Sequence, residues 1–353
     1  SKIGASARYR VYQYLPFLKD YGLDCTIIPA VSDKVYNQYH NAPNFFSKVS
    51  YYSSIILKRI PDVLQVRKFD AIFLQRDMII HLYPFLEKIA SFLNNKLIFD
   101  FDDAIYLYPP AKKPNSLFNL LWDKKKIERI IKLSKHVIVG NSFLEKYART
   151  FTRNVTVVPT SIDLNLYNLK KTRNKFSNRM IKIGWMGSQG TFSYLKNIFP
   201  AIAELGKKYN IVLSVVGARG PDLKGLSIEY KDWSLETELS DLNEFDIGIM
   251  PLSDDEWSRS KSATKLLQYM AAGIPAVCSP VGVNSEIIKD GVNGFLASTQ
   301  KDWTEKISLL IDDQLLSNRI TENAGLIVRR FYSVQANAPI LAGIIKNIAK
   351  KYA

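Results

Sequence analysis

Along the chain, short apolar runs alternate with longer stretches in which apolar residues recur every three or four positions. The runs "CTIIPA", "DAIFLQRD", "KLIFDFDD", "HVIVGN" and "VTVVPTSID" read as buried strands. Periodic stretches over about 7–21, 44–67, 81–93 and 116–134 read as the helices between them. Strands that are apolar on both faces, alternating with helices, predict a parallel sheet covered on both sides. The stretch "NLYNLKKTRNKFSNR" breaks this pattern; it is polar, basic and aperiodic, and reads as a linker. Alternation then restarts with "MIKIGWMG", a helix over about 191–208, "IVLSVVGA", "LSIEY", "FDIGIMP", a helix within "SKSATKLLQYMAAGIP", "IPAVCS" and "GFLA". Helical patterns over about 301–352 close the chain.

The expected fold is α/β: two doubly wound, Rossmann-like domains, 1–168 and 169–333, facing across a cleft. A last helix over about 334–353 is expected to pack back onto the first domain. The opening "SKIGASARYR" looks like the loop after a short or missing strand, and its abrupt start leaves a trimmed N-terminus open. No signal peptide is visible, and no apolar run reaches the length of a membrane span. In open sheets of this kind ligands bind beyond the carboxyl ends of the strands, which places the chemistry in the cleft.

A length of 353 residues and 47% hydrophobic content fit two folded cores. The net charge of +15 adds an anionic partner: nucleic acid, a lipid surface or a phosphorylated ligand. Cys25 and Cys278 sit in strand-like contexts and read as two buried free thiols of a cytosolic protein. His40, His81 and His136 are scattered, and no Cys/His cluster has zinc-site spacing.

Within "SKSATKLLQYMAAGIP", a helical repeat puts Lys261, Lys265, Gln268 and Ala272 on one face and Leu266, Leu267, Met270 and Ala271 on the buried side. Lysines in a helix's first turn oppose its dipole unless an anion lies between them, so a phosphate suits this end. The alternative is a solvated lysine pair with Ser260 or Ser262 as N-cap.

The stretch "KLLQYMAAGIPAVCSPVGVNSEIIKDGVNGFLA" resembles the donor-binding signature of glycosyltransferase family 4, of the GT-B architecture. So do "DFDDAIY", "VIVGNSFLEKYA", "VVPTSIDLNLY" and "IGWMGSQGTFSYL", in the family's order. The resemblance implies a retaining, metal-independent glycosyltransferase of the bacterial surface-polysaccharide type, with a UDP- or GDP-sugar as donor substrate and no cofactor. It implies front-face attack, with the donor's phosphate oxygen helping to take the acceptor proton. The family's two glutamates align with Ser260, at the donor sugar, and Gln268, at the ribose; Asp254, Asp255 or Glu256 would be substitute carboxylates. The family's Arg and Lys after the first C-domain strand are replaced by Gly187, Ser188 and Thr191, leaving the phosphate charge to Lys261 and Lys265.

Further donor contacts implied are Ser262, Glu286, Gly217, Arg219, Lys231 and Trp233, the last either stacking on the base or lying in the core. Asp102 aligns beside the donor sugar or acceptor, with Asp103 next to it; a solvated turn is the other reading. Asp100-Phe101-Asp102 also matches a metal-binding Asp-x-Asp of another architecture, which the two-domain layout argues against. Gly4, Ala5, Ser6, Arg8, Arg10 and Arg76, with Gln75, are candidates for an acceptor or phosphate; a basic helix start is equally open for Arg8 and Arg10.

Phe45, Phe46, Tyr51, Tyr52, Ile55 and Ile56 alternate with Lys48, Lys58 and Arg59. Lys112, Lys113, Lys124, Lys125, Lys126 and Arg129 lie near Phe118 and Trp122. Both stretches suit an anionic lipid surface, and with it a lipid-linked glycan acceptor and a cytoplasmic location at the inner face of the cell membrane; core-plus-solvent helices are the alternative. Two other classes compete. A nicotinamide oxidoreductase shares the fold, but "IGWMGSQG" lacks Gly-x-Gly-x-x-Gly spacing. A nucleic-acid-binding protein would explain the charge, but no recognised module is present.

Overall fold

The computed structural model describes residues 1–41, 45–79, 82–107, 123–167, 179–221 and 225–350. They form two compact units, Ser1–Thr160 with Val334–Ala353, and Ser161–Ser333.

The first unit is built on a four-stranded parallel sheet in the order β1 (Ile72–Gln75), β2 (Leu97–Phe101), β3 (His136–Val139), β4 (Val155–Val157). Alternate side chains of its buried strands go to opposite faces. Leu97, Phe99, Phe101, Val137 and Val139 meet the helices Phe45–Leu64, Phe85–Leu93, Lys126–Leu133 and Ser142–Arg149. Ile98 and Ile138 meet Tyr14, Leu18, Val334, Ala338 and Leu341 on the other face, where the helix Val334–Lys350 packs. Each face is therefore covered, which is why these strands carry no polar alternation.

The expected first strand is absent: Cys25–Ala30 forms no strand. Pro29 offers no ladder donor, and the Ile28 carbonyl is taken by the Arg59 guanidinium at 3.1 Å. Cys25 is consequently exposed, contrary to the expectation, whereas Cys278 is buried.

The second unit has six parallel strands: β5 (Ile181–Met186), β6 (Ile211–Val216), β7 (Ile228–Lys231), β8 (Ile247–Met250), β9 (Ala276–Cys278) and β10 (Phe295–Leu296). Their order is β10-β9-β8-β5-β6-β7. The chain runs outward from β5 to β7, then returns to the far side of β5, so the order reverses between β5 and β8. In open sheets of this kind the ligand crevice lies at such a reversal, beyond the strands' carboxyl ends.

Two glycines, paired in register at this centre, let aromatic rings lie directly on the sheet. A Cβ at Gly184 would fall 1.9 Å from the Phe245 ring, and one at Gly248 would fall 2.5 Å from the Tyr269 ring. The Tyr269 hydroxyl also accepts the Met186 N–H at 3.2 Å. The helix Thr264–Ala271 is thereby fixed against the middle of the sheet. Among the described residues no helix is long and apolar enough to cross a membrane.

Candidate functional site

The helix within "SKSATKLLQYMAAGIP" starts later than its sequence suggests. A preceding turn of helix, Glu256–Arg259, is capped by Asp255, whose carboxylate accepts the Ser258 N–H at 2.7 Å. The chain then passes through Ala263, whose φ of 52° is left-handed, before entering Thr264–Ala271. Such a conformation costs a non-glycine residue about 1–2 kcal/mol and is typical of functional turns. Ser260, Lys261 and Ser262 therefore lie in the connection, not in the first turn, and Lys261 does not share a helical face with Lys265 and Gln268. Ser260 is fully buried and donates to the Trp257 carbonyl at 2.7 Å, so its hydroxyl is not presented to a sugar. Of the substitute carboxylates, Asp254 pairs with Arg259 at 2.7 Å and Asp255 is the cap.

Lys265 is in the first turn, beside the end of β5. Its Nζ lies 4.2 Å from the centroid of the buried Trp185 ring. A Cβ at Gly187 would stand 2.6 Å from that Nζ, so the ammonium rests against Gly187. Gly217, at φ 86°, is needed nearby because a Cβ there would meet the Gly187 carbonyl at 2.3 Å. Burial, and then the Lys261 charge, push the Lys265 ammonium down to about 7. Among the described residues neither lysine is paired with a carboxylate; Lys261 lies over the Trp257 ring, 5.6 Å from its centroid. Two cations near each other without an acid gain most from an anion.

A polar cluster adjoins this helix. Gln268, buried, donates through Nε2 to the Glu238 carboxylate at 3.2 Å and to the Tyr167 hydroxyl at 3.4 Å. The other Glu238 oxygen accepts the Trp233 indole N–H at 2.8 Å. Tyr167 closes the run "VVPTSIDLNLY", whereas Glu238 belongs to no motif that marks it and is simply one of several acids in "SLETELSDLNE".

Other expected donor contacts are already engaged. Lys231 lies among Asp241, Glu244 and Glu229, at 3.3, 2.8 and 3.8 Å, so it brings no net positive charge to a phosphate. Arg219 is exposed and paired with Asp232 at 2.9 Å. Ser188 is exposed and Thr191 half-buried, its hydroxyl on the Ser188 carbonyl at 3.0 Å. Ser262 is half-buried, and Glu286 is exposed on the helix Val283–Ile287.

In the first unit a charge network closes the carboxyl ends of β1 and β2. Arg10 and Asp100 are buried and doubly bonded, with Nε to Oδ2 at 3.1 Å. Burial opposes the Arg10 charge, but Asp100 outweighs it and raises Arg10 above its ordinary range. Arg10 is thus a structural partner, not an outward-facing phosphate ligand. Arg76, at a left-handed φ of 59°, bonds both Asp102, at 3.1 Å, and Asp103. The Ser6 hydroxyl donates to Asp102 at 2.5 Å and accepts from Gln75 at 2.8 Å. Burial raises the Asp102 carboxyl, but the Arg76 and Arg10 charges and the Ser6 hydroxyl hold it below its usual range. A carboxylate held this way suits electrostatics or hydrogen bonding better than proton abstraction at neutral pH. Gly4, at φ −62°, and the exposed Ala5 open the helix bearing these residues; Arg8 is half-buried over the Tyr9 ring. Among the described residues no group of three or more His, Cys, Asp or Glu is placed to hold a metal.

The basic aromatic stretches divide differently from their sequence pattern. In the helix Phe45–Leu64, Tyr51 and Ile55 are core, Tyr52 and Ile56 pack against it, and Arg59 is turned to Ile28 and Asp62. The exposed face instead carries Phe46, Leu57, Ile60 and Leu64, with Lys58 at its flank. The neighbouring helix Phe85–Leu93 adds exposed Phe85, Lys88, Ile89 and Phe92. Lys126 is buried between Asp77, at 3.0 Å, and Glu87, at 3.7 Å, and Arg129 pairs with Asp123, so neither is a free surface cation. Lys124 and Lys125 are exposed. Lys112, Lys113, Phe118 and Trp122 lie outside the described residues, as do the side chains of Phe45 and Lys48.

Residues 178–313 match the family model described as "Glycosyl transferases group 1". An uncharacterized glycosyltransferase of Methanocaldococcus jannaschii is 27% identical over 215 residues, which are 57% of this chain and 53% of that protein, about half its length. Among solved structures, a glycosyltransferase from Rickettsia africae aligns with a TM-score of 0.66 at 14% identity, over 98% of this chain and 96% of its own. Anabaena HepE in complex with UDP and glucose aligns with a TM-score of 0.62 at 15% identity, over 82% and 81%. The architecture, α/β with two parallel sheets, is that of the GT-B glycosyltransferase structures.

Proposed function

We propose that this chain, whose residues 178–313 form a group 1 glycosyltransferase domain, is a retaining glycosyltransferase that moves a sugar from a nucleoside diphosphate to an acceptor. One observation carries the reading: a lysine pair without a carboxylate partner among the described residues, at the start of a helix fixed on the sheet's reversal point. That is where a leaving diphosphate gains most from cations and backbone N–H groups. Lys265 and Lys261 hold the diphosphate and Gln268 the ribose. A UDP-sugar is the first donor to try, since the similar HepE is seen in complex with UDP and glucose.

The first unit presents the acceptor to Asp102, Asp103 and Arg76. No side chain is needed as nucleophile; the departing phosphate oxygen takes the acceptor proton, while the protein holds both substrates and offsets the charge that develops. The test is turnover of UDP- and GDP-sugars in excess EDTA. It is expected to persist, because in this reading Lys261 and Lys265 offset the diphosphate charge that a divalent cation would otherwise offset.

The acceptor is lipid-linked, as in bacterial surface-polysaccharide synthesis, and the chain works peripherally at the inner face of the membrane. Leu57, Ile60, Leu64, Phe85, Ile89 and Phe92 expose apolar surface with Lys58 and Lys88 among them, a composition that suits anionic headgroups over acyl chains. Liposome flotation measures this. Leu57→Ser, Ile60→Ser, Leu64→Ser and Phe92→Ser together are expected to reduce binding to anionic vesicles at least tenfold, with unchanged melting. Undiminished binding places the membrane contact elsewhere.

A further inference from the structure

We propose that Glu238 is a positioning residue that turns the Gln268 amide so that only its oxygen is offered to the ribose of the donor. The inference rests on the donor reading above. A carboxylate can only accept hydrogen bonds, whereas an amide donates and accepts and fits a site either way round. Where Gln268 stands in place of a carboxylate, something must choose the orientation.

Glu238 does so. Its Oε2 is held by the Trp233 indole N–H at 2.8 Å, and its Oε1 faces Gln268 Nε2 at 3.2 Å. Only the nitrogen of the amide can meet a carboxylate oxygen favourably. The Tyr167 hydroxyl, at 3.4 Å from Nε2, lies on the same side. With Nε2 drawn to both, the amide oxygen is directed away from them and behaves toward a ligand as one carboxylate oxygen would. Gln268 is 4% and Glu238 6% exposed, so a reversed amide would set oxygen against oxygen with little water between them. Trp233 thereby acts through its indole N–H, as the anchor of Glu238.

The consequence is a specific form of recognition: a ribose hydroxyl must donate. A methyl ether in place of a hydroxyl keeps an oxygen that accepts and cannot donate. Calorimetry with UDP and its 2′-O-methyl and 3′-O-methyl analogues therefore reads the amide's orientation. The parent is expected to bind at least one analogue about five- to tenfold more weakly than UDP, the loss of one ordinary hydrogen bond. In Glu238→Gln the new amide still accepts from Trp233 but donates to Gln268, which turns over. UDP binding then persists and the discrimination falls to within about twofold. Glu238→Asp, which withdraws the carboxylate and keeps its charge, gives the same loss if Glu238→Gln does not melt cooperatively.

Undiminished discrimination in the Glu238 variants, with loss in Gln268→Ala, overturns the role of Glu238 and leaves the ribose assignment standing. Equal discrimination in the parent and in Gln268→Ala overturns the ribose assignment as well. A parent that binds neither UDP nor GDP overturns the donor reading, and this inference with it.

Discussion

Lys265→Met is expected to weaken binding of the nucleoside diphosphate by about ten- to a hundredfold, the worth of one charge-assisted hydrogen bond. Binding of the bare nucleoside should stay within about twofold, since no phosphate is then involved. The parent should also show a pH dependence that the variant lacks. Burial and Lys261 hold the Lys265 ammonium at about 7 in the free protein, and a diphosphate beside it favours the charged form. Binding therefore takes up a proton above pH 7, and affinity falls toward tenfold per pH unit as pH rises beyond it. The ligand's own phosphate titrates near pH 6 and acts alike on parent and variant.

The sign for folding is the reverse of the usual lysine case. The folded group has the lower pKa, so between about 7 and its ordinary value of 10.5 the unfolded chain binds more protons. The contribution of Lys265 to stability consequently improves as pH rises through that window. Lys265→Met should match or exceed the parent's melting temperature, and most clearly at and below about pH 7, where the half-buried ammonium of the parent is charged. Calorimetric titration at pH 7 and pH 8.5 in buffers of different ionisation heat counts the protons. A lysine variant that binds the diphosphate like the parent, with no proton taken up, would assign the phosphate to other groups.

Asp100→Asn is expected to cost about 3–5 kcal/mol of the first unit's stability, because it leaves Arg10 charged and buried without its partner. The pair fastens the helix Ala5–Arg10 to β2, and Arg10 also donates to the Val158 carbonyl beyond β4. Replacing both members by apolar residues, Arg10→Met with Asp100→Leu, should cost much less than the sum of the single changes. Denaturant unfolding of the four proteins of this cycle, followed by circular dichroism, gives the coupling. A stable Asp100→Asn variant without transferase activity would instead make Asp100 a group of the reaction.

The sheets were legible because both faces of each strand are covered. Leu97–Phe101 and Ile211–Val216 are buried at every position, and a short run of that kind belongs in the middle of a parallel sheet. Cys25–Ala30 has the same apolar look, but Pro29 and the Arg59 contact leave it without a ladder. The start of the helix Thr264–Ala271 was misplaced because Ala263 adopts a left-handed conformation that nothing in an alanine announces. Periodicity counts apolar positions without saying which face is inward. The sequence therefore leaves Tyr51 and Ile55 open between a lipid-facing and a core position, and does not mark Leu57 and Leu64 as the exposed face. Glu238 was invisible for a different reason. Its partner is thirty positions away on another helix, and only the fold brings the two together.

The central claim is that this chain transfers a sugar from a nucleoside diphosphate. It is tested most directly by following nucleoside diphosphate release from UDP-glucose, UDP-N-acetylglucosamine and GDP-mannose in excess EDTA, with the parent and Lys265→Met side by side. The account predicts release from at least one donor by the parent, unaffected by the chelator and reduced at least tenfold in the variant. Release that stops on chelation and returns with manganese, or no release and no thermal stabilisation with any of the three, contradicts it.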